Sequence, residues 1–288
     1  MSSLREKFIL ITGVSTGIGH GAVAHLIREG FHVIGSVRSS GDLDRLTKEF
    51  PNHFTCLRFD LTDHLAVEAA AQEVRSLLDG KLLTALVNNA GSTSPGPIQL
   101  LERENFERQI QINLFGTRNV TNAFLPHLGA THQRPADQSP GKIINISSIS
   151  GVLNTPINGT YCVSKHAIES LAEVYRRELY MYGIDVISIQ PGPIRSEIWN
   201  KNQGQMEHFL PSDYGPMIEK TEEILEEARN IAQPTEVVSK LIHKIIHTRR
   251  PRTSYIVHSN KWFVTILAHW LPARWVDRLL HHKLNSKS

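Results

Sequence analysis

Four apolar residues, Phe8-Ile9-Leu10-Ile11, run straight into Thr12-Gly13-Val14-Ser15-Thr16-Gly17-Ile18-Gly19. Ala22, Val23, Leu26 and Ile27 then recur at helical spacing until Gly30 ends the pattern. A strand, a glycine turn and a helix in that order is the setting a dinucleotide-binding loop requires. Gly13 permits the tight turn, Gly17 lets backbone approach a pyrophosphate, and Gly19 lets helix pack closely on strand. The helix N-terminus then faces the phosphate charge. The spacing is G-x-x-x-G-x-G, not the commoner G-x-G-x-x-G, and plain turn chemistry is the competing account of these glycines.

The same unit recurs along the chain. Apolar runs at His32–Val37, Phe54–Phe59, Leu82–Val87, Lys142–Ile146 and Ile184–Ile189 alternate with helical segments, and Ser254–Val257 is the expected last strand. The run at 54–59 leads to Asp60-Leu61-Thr62-Asp63, where Thr62 or Asp63 can cap the next helix. Such alternation predicts a single α/β domain: a doubly wound, Rossmann-type parallel sheet with helices on both faces. Ligands of such sheets bind beyond the carboxyl ends of the strands. Asn88-Asn89-Ala90-Gly91, Ser147-Ser148 and Pro191-Gly192-Pro193-Ile194 all follow strands directly and should converge there. Gly129 to Gly141 reads as a surface loop.

After the second strand an acid normally binds the adenine ribose of NAD. Here the strand ends Val37-Arg38, with no acid before Asp42. A carboxylate would repel a 2′-phosphate and an Arg would pair with it, so Arg38 points to NADP(H). A solvated loop Arg is the alternative.

Tyr161 is the one tyrosine followed by a lysine four residues later, Lys165. If a helix starts near Thr160, phenol and ammonium share a face. A nearby cation favours the phenolate and would lower the phenol's ordinary value of about 10, as general acid–base catalysis needs. On its own the pair is also compatible with an ordinary Tyr and a solvated Lys.

These signatures together resemble the short-chain dehydrogenase/reductase superfamily, in its hydroxysteroid, retinol and carbonyl reductase-like branch. Four carry the likeness in order: Thr12 to Gly19, Asn88 to Gly91, Ser148 with Tyr161 and Lys165, and Pro191 to Ser196. Ser196 stands where that family usually has Thr. The resemblance covers about residues 5 to 198. It implies that Tyr161 exchanges a proton with the substrate oxygen. Lys165 would lower the Tyr pKa and bind the nicotinamide ribose, and Ser148, selected over Ser147 by its thirteen-residue offset from Tyr161, would hold the carbonyl or alcohol. Asn113, read as lying in mid-helix, would anchor a proton-relay water to the lysine. Asp60 and Leu61 would lie at the adenine ring and Asn88 and Ala90 on the adenosine side. Gly91 would admit backbone near the cofactor, and Pro191, Gly192, Ile194 and Ser196 would flank the nicotinamide. Segment 195–232 would be the substrate lid on a 1–258 catalytic domain. A homodimer or homotetramer is the family habit.

Outside the resemblance the chain is less explicit. Two cysteines, Cys56 and Cys162, without metal spacing, and no charged-then-apolar opening suggest a reduced, cytoplasmic protein. From Lys244 onward there are nine Lys or Arg against one acid, Asp277, although net charge is only +3. That tail lacks a nucleic-acid reading motif, so no nucleic-acid partner is expected. Within it Trp262, Phe263, Ile266, Leu267, Trp270 and Leu271 form a helical stripe before Pro272. The 259–288 extension is expected to pack on the domain; covering an apolar substrate pocket or making peripheral contact with a membrane are alternatives. His243 and His247 are four apart but have no third ligand in sequence, so a solvated helix face and no metal site are expected. The reading is a carbonyl/alcohol oxidoreductase using NADP(H) on a lipophilic small molecule. A non-catalytic NADP(H)-binding regulator on the same fold is the alternative.

Overall fold

The strands of this chain are short and strongly apolar, and a computed structural model, which describes residues 7–196 and 204–285, shows why. β1 (Phe8–Thr12) is flanked by β2 (His32–Val37) and β4 (Leu83–Asn88). With β3 (Phe54–Arg58), β5 (Lys142–Ile146), β6 (Asp185–Pro191) and β7 (Ser254–Val257) they form one seven-stranded parallel sheet, ordered β3-β2-β1-β4-β5-β6-β7. Alternate side chains leave opposite faces of a strand. Phe8 and Leu10 accordingly join a core with Val74, Leu86, Val120 and Phe124, whereas Ile9 and Ile11 join a second with Ala22, Leu26, Val87 and Ile242. Both faces of the central strands are dry, and each such apolar side chain contributes about 1.5–3 kcal/mol of burial.

The helices cover those faces. α1 (Gly17–Arg28), α2 (Ser40–Glu49) and α3 (His64–Leu78) follow β1, β2 and β3. Of the two candidate caps for α3 the structure uses Asp63, whose carboxylate accepts from Leu65 N and Ala66 N, both at 3.1 Å. α4 (Arg103–Ile110) and α5 (Thr117–Phe124) are joined by a turn of π-helix at Gln111–Gly116, so Asn113 sits where the helix is locally widened, not in a regular α-helix. α6 (Gly159–Glu178) begins one residue before the expected Thr160. α7 (Gly215–Asn230) and α8 (Glu236–His247) precede β7, and α9 (Lys261–His269) and α10 (Ala273–Asn285) follow it, separated at Pro272 as the sequence predicts.

Lys142, at the start of β5, donates to Ile245 O and Ile246 O at 2.9 Å and to Thr248 O at 2.6 Å. A cation there satisfies the last carbonyls of α8 and opposes its dipole. Nothing in the local sequence marks it, because donor and acceptors are about a hundred residues apart.

The lid-side residues form a third, small core in which Ile157, Met206, Phe209 and Ile218 are buried. Residues 197–203 of the expected lid lie outside the described residues. The C-terminal extension packs through Val264 and Val276 only in part: Trp262 and Trp270 are 72% and 80% exposed, and Phe263, Ile266, Trp275 and Leu279 are exposed too. Among the described residues no helix is long and apolar enough to cross a membrane.

Candidate active site

Chain order reverses between β1 and β4, the position at which open α/β sheets form their ligand crevice. The glycine loop stands on one side of it. Gly13 has φ +68°, and a Cβ there would lie 2.8 Å from Ala90 Cα. A Cβ on Gly19 would lie 2.4 Å from Gly13 O and 2.5 Å from Asn89 Nδ2. Asn89, which the sequence did not single out, ties the two loops together. Its amide donates to Thr12 O and Gly13 O at 2.9 and 2.8 Å, while its own N–H and that of Ala90 donate to Thr12 Oγ1.

α1 then starts with Thr16 as N-cap, with no side chain accepting its first N–H groups and no acid in the first turn. Such a helix end is suited to an anion. Ser15 and Ile18 belong to this turn, and Ser196 approaches it, its Cβ 3.1 Å from a Cβ placed on Gly17. Pro191 ends β6, Gly192 N donates to Val257 O at 2.8 Å, and Ile194 is buried. The loops that resemblance assigned to phosphate and nicotinamide thus meet.

Arg38 is exposed at the end of β2, near Asp60 at the end of β3. Burial pushes the Asp60 carboxyl up, but bonds from Thr62 N and Oγ1 at 2.9 and 2.7 Å and the Arg38 charge outweigh it and leave it below its usual value. A second guanidinium, Arg45, donates to Ser15 O at 2.7 Å and to Asp42 Oδ1 at 3.0 Å. This cation beside the glycine loop has no signature in the sequence, since it reaches across from α2.

Two expected adenosine-side residues turn inward. Asn88 Nδ2 donates to Thr121 Oγ1 at 3.0 Å and Asn145 Oδ1 at 2.9 Å, so its side chain clamps β4 to β5 inside the protein. Leu61 is buried against Gly116, and its carbonyl accepts from Asn119 Nδ2 at 3.1 Å.

Tyr161 and Lys165 share a face of α6, with Lys165 Nζ 5.5 Å from the Tyr161 ring centroid. Lys165 is buried and donates to Ile146 O at 2.9 Å. Ser148, not Ser147, hydrogen-bonds the Tyr161 phenol; Ser147 Oγ is buried without a partner. Asn113 Nδ2 donates to Ser92 O and Ser164 Oγ, both at 2.9 Å, and its Oδ1 accepts from Ser92 N at 2.8 Å. With both amide protons engaged, the side chain holds the loop after Gly91 against α6. A Cβ on Gly91 would lie 3.3 Å from Asn113 Oδ1 and 3.7 Å from Lys165 Nζ, so the four elements converge within one small space. Ile157, four residues before Tyr161, has φ +64°, a strained conformation for a β-branched residue and a common mark of functional loops.

The expected electrostatic tuning is reversed in the protein alone. Burial pushes the Tyr161 phenol up to about 12, opposed by the Ser148 bond. Burial also pushes the Lys165 ammonium down to about 8, with the Glu169 charge opposing. Desolvation is the largest cause of the shift in both groups. The phenol is therefore held protonated at neutral pH. For Lys165 the unfolded chain keeps its proton to about 10.5 and the folded chain releases it near 8. Between those pH values unfolding takes up a proton, so stability rises with pH. The urea midpoint of the wild type, measured against that of Lys165→Met, should climb between pH 8 and pH 10.5; a constant difference would mean the buried ammonium keeps its proton.

Residues 7–207 match the family model described as short chain dehydrogenase. A relative from Ornithobacterium rhinotracheale, the NADPH-dependent 3-dehydrocapnine reductase, is 34% identical over 278 residues, covering 96% of this chain and 97% of its own length. Human retinol dehydrogenase 16 is 26% identical over 295 residues, covering 98% and 90%. A solved structure of ElxO with NADP bound superposes with a TM-score of 0.70 at 25% identity, covering 88% of this chain and 96% of that one.

Proposed function

This chain belongs to the short chain dehydrogenase family, and we propose that it is an NADP(H)-dependent reductase of a lipophilic ketone or aldehyde, with Tyr161 as the proton donor. The observation that carries the reading is the meeting of Tyr161, Ser148, Lys165 and the Asn113-held Gly91 loop beside an uncapped helix N-terminus.

The residues present fit the cofactor. The N–H groups at the start of α1 and the Gly13–Gly19 turn would hold its pyrophosphate, with Arg38 and Arg45 on the side of a 2′-phosphate. Asp60, the Leu61 backbone, Ala90 and Gly91 would line the adenosine, and Pro191, Gly192, Ile194 and Ser196 the nicotinamide. When bound, NADPH supplies the hydride.

The chain's own residues do the rest. Ser148 orients the carbonyl oxygen and donates to the charge that grows on it. Tyr161 transfers its proton to that oxygen, and a phenol held well above neutral pH is in the correct state to do so. Lys165, fixed by Ile146 O, stands behind the phenol to stabilise the phenolate left after transfer, and recovers its protonated form below about pH 8. Asn113 keeps Gly91 and Ser92 in place. Segment 195–232 serves as the substrate lid, with its apolar core of Met206, Phe209 and Ile218 lying over Ile157. That apolar roof and the retinol- and 3-dehydrocapnine-named relatives favour a lipophilic substrate.

Cofactor choice is tested at Arg38. A charge-assisted hydrogen bond contributes about 1.5–3 kcal/mol, or roughly 10- to 100-fold. Arg38→Asp should lower the ratio of kcat/KM for NADPH over NADH by that factor. An unchanged ratio would leave Arg45 as the discriminating cation or point to NAD(H).

A further inference from the structure

At the end of the sheet opposite the crevice, α1 and α8, packed on one face of the central strands, bring four potential metal-binding side chains together. α1 carries His25, and Glu29, four residues on, is its C-cap; α8 carries His243 and His247, four apart on one face. His247 is exposed, as expected of a solvated face, whereas His243 is only part-exposed. His243 lies edge-on to His25, ring centroids 5.7 Å apart, and to His247, 4.6 Å, with Phe31 walling both α8 histidines. The partners that His243 lacked in sequence come from the end of α1, more than two hundred residues away.

Donor atoms of His25, Glu29 and His243 all lie within 4.8 Å of one another, and Glu29 Oε2 is 3.9 Å from His243 Nε2. His25 is 6% exposed, and its Nε2 is buried with no hydrogen-bond partner. An unpaired buried nitrogen costs about 1–3 kcal/mol, so a ligand bond to it would be stabilising. Two imidazoles and a carboxylate are a recognised zinc donor set, and a tetrahedral ion with bonds of about 2.0–2.2 Å needs its donors about 3.4 Å apart. Glu29 and His243 are partly exposed, so small rotations of either can close the remaining gap and leave a fourth position to water.

We propose that His25, Glu29 and His243 form a binding site for a divalent transition-metal ion of the zinc class, clipping the C-terminal end of α1 to α8. At the other end of this helix pair Gly21 already meets Thr235, a Cβ there lying 2.7 Å from Thr235 Oγ1. The clip would fasten the opposite end of the pair. It is remote from Tyr161, so its effect is on stability and not on the chemical step.

The test uses the untagged full-length protein, stripped with a chelator and titrated with Zn²⁺ by calorimetry and with Co²⁺ by absorbance. The expected result is one equivalent bound, a tetrahedral Co²⁺ spectrum and a rise in Tm, with NADPH binding unchanged by stripping. Glu29→Gln, a partly exposed and near-isosteric change, should weaken binding by roughly tenfold or more, and His243→Ala should abolish the Tm rise. Replacing His281 and His282 together should leave both intact. Equal Zn²⁺ affinity in Glu29→Gln and wild type, loss of binding in the His281/His282 variant, or no stoichiometric binding at all would each overturn the site.

Discussion

Tyr161→Phe should lower NADPH-dependent carbonyl reduction by about 10²–10⁴-fold, the usual contribution of a positioned general acid, while leaving NADPH binding and Tm nearly unchanged. The substitution removes one hydroxyl and keeps the ring in place on α6. The Ser148 partner loses an acceptor but stays beside the crevice, where water can take over the bond. Steady-state turnover across ketones, aldehydes, retinoids and steroids, with fluorescence titration of NADPH in parallel, checks both halves. Retained turnover in the variant would remove Tyr161 from the chemistry. Tight NADPH binding by the wild type with no turnover on any carbonyl would favour the non-catalytic regulator.

Gly19→Ala should damage the cofactor loop through a single methyl group. Its Cβ would stand 2.4 Å from Gly13 O and 2.5 Å from Asn89 Nδ2. Neither neighbour is free to move: Gly13 is backbone at φ +68°, and the Asn89 amide is spent on Thr12 O and Gly13 O. Overpacking costs about 1–3 kcal/mol. The strain falls on the loop that would cradle the pyrophosphate, so NADPH affinity should drop about 10- to 100-fold, with a lower Tm. Calorimetric titration and thermal unfolding read the two effects. Wild-type affinity in the variant would show that the loop and the Asn89 clamp yield easily, and that their tight packing is not what shapes the cofactor site.

Much of this was legible in the residues. Apolar runs at β1 to β7 announce a parallel sheet because a strand dry on both faces needs helices on both sides, and the chain provides them in alternation. Glycine positions were legible because Gly13, with its positive φ, and Gly19, with no room for a Cβ, tolerate little else. Tyr161 and Lys165 were legible because the helical repeat places residues four apart on one face. The direction of the electrostatic tuning was not legible. Charge proximity can be read from spacing, but desolvation depends on what surrounds the pair, and here burial is the largest cause of the shift in both groups.

Long-range contacts were equally hidden. Asn88 sits in a recognisable motif, yet its side chain turns inward because Thr121 and Asn145 offer buried partners. Asn113 occupies a π-turn whose widening lets its amide reach Ser92 and Ser164 at once. Arg45 reaches Ser15 from α2, Lys142 caps α8 from β5, and His25 meets His243 from α1. The sequence by itself determined the fold class, the succession of strands and helices along the chain and the chemistry-bearing motifs, because those follow from local periodicity and backbone stereochemistry. Only the tertiary structure decided which polar groups are dry, which are paired and which helices share a histidine cluster, because desolvation and pairing depend on neighbours that the chain brings together only when folded.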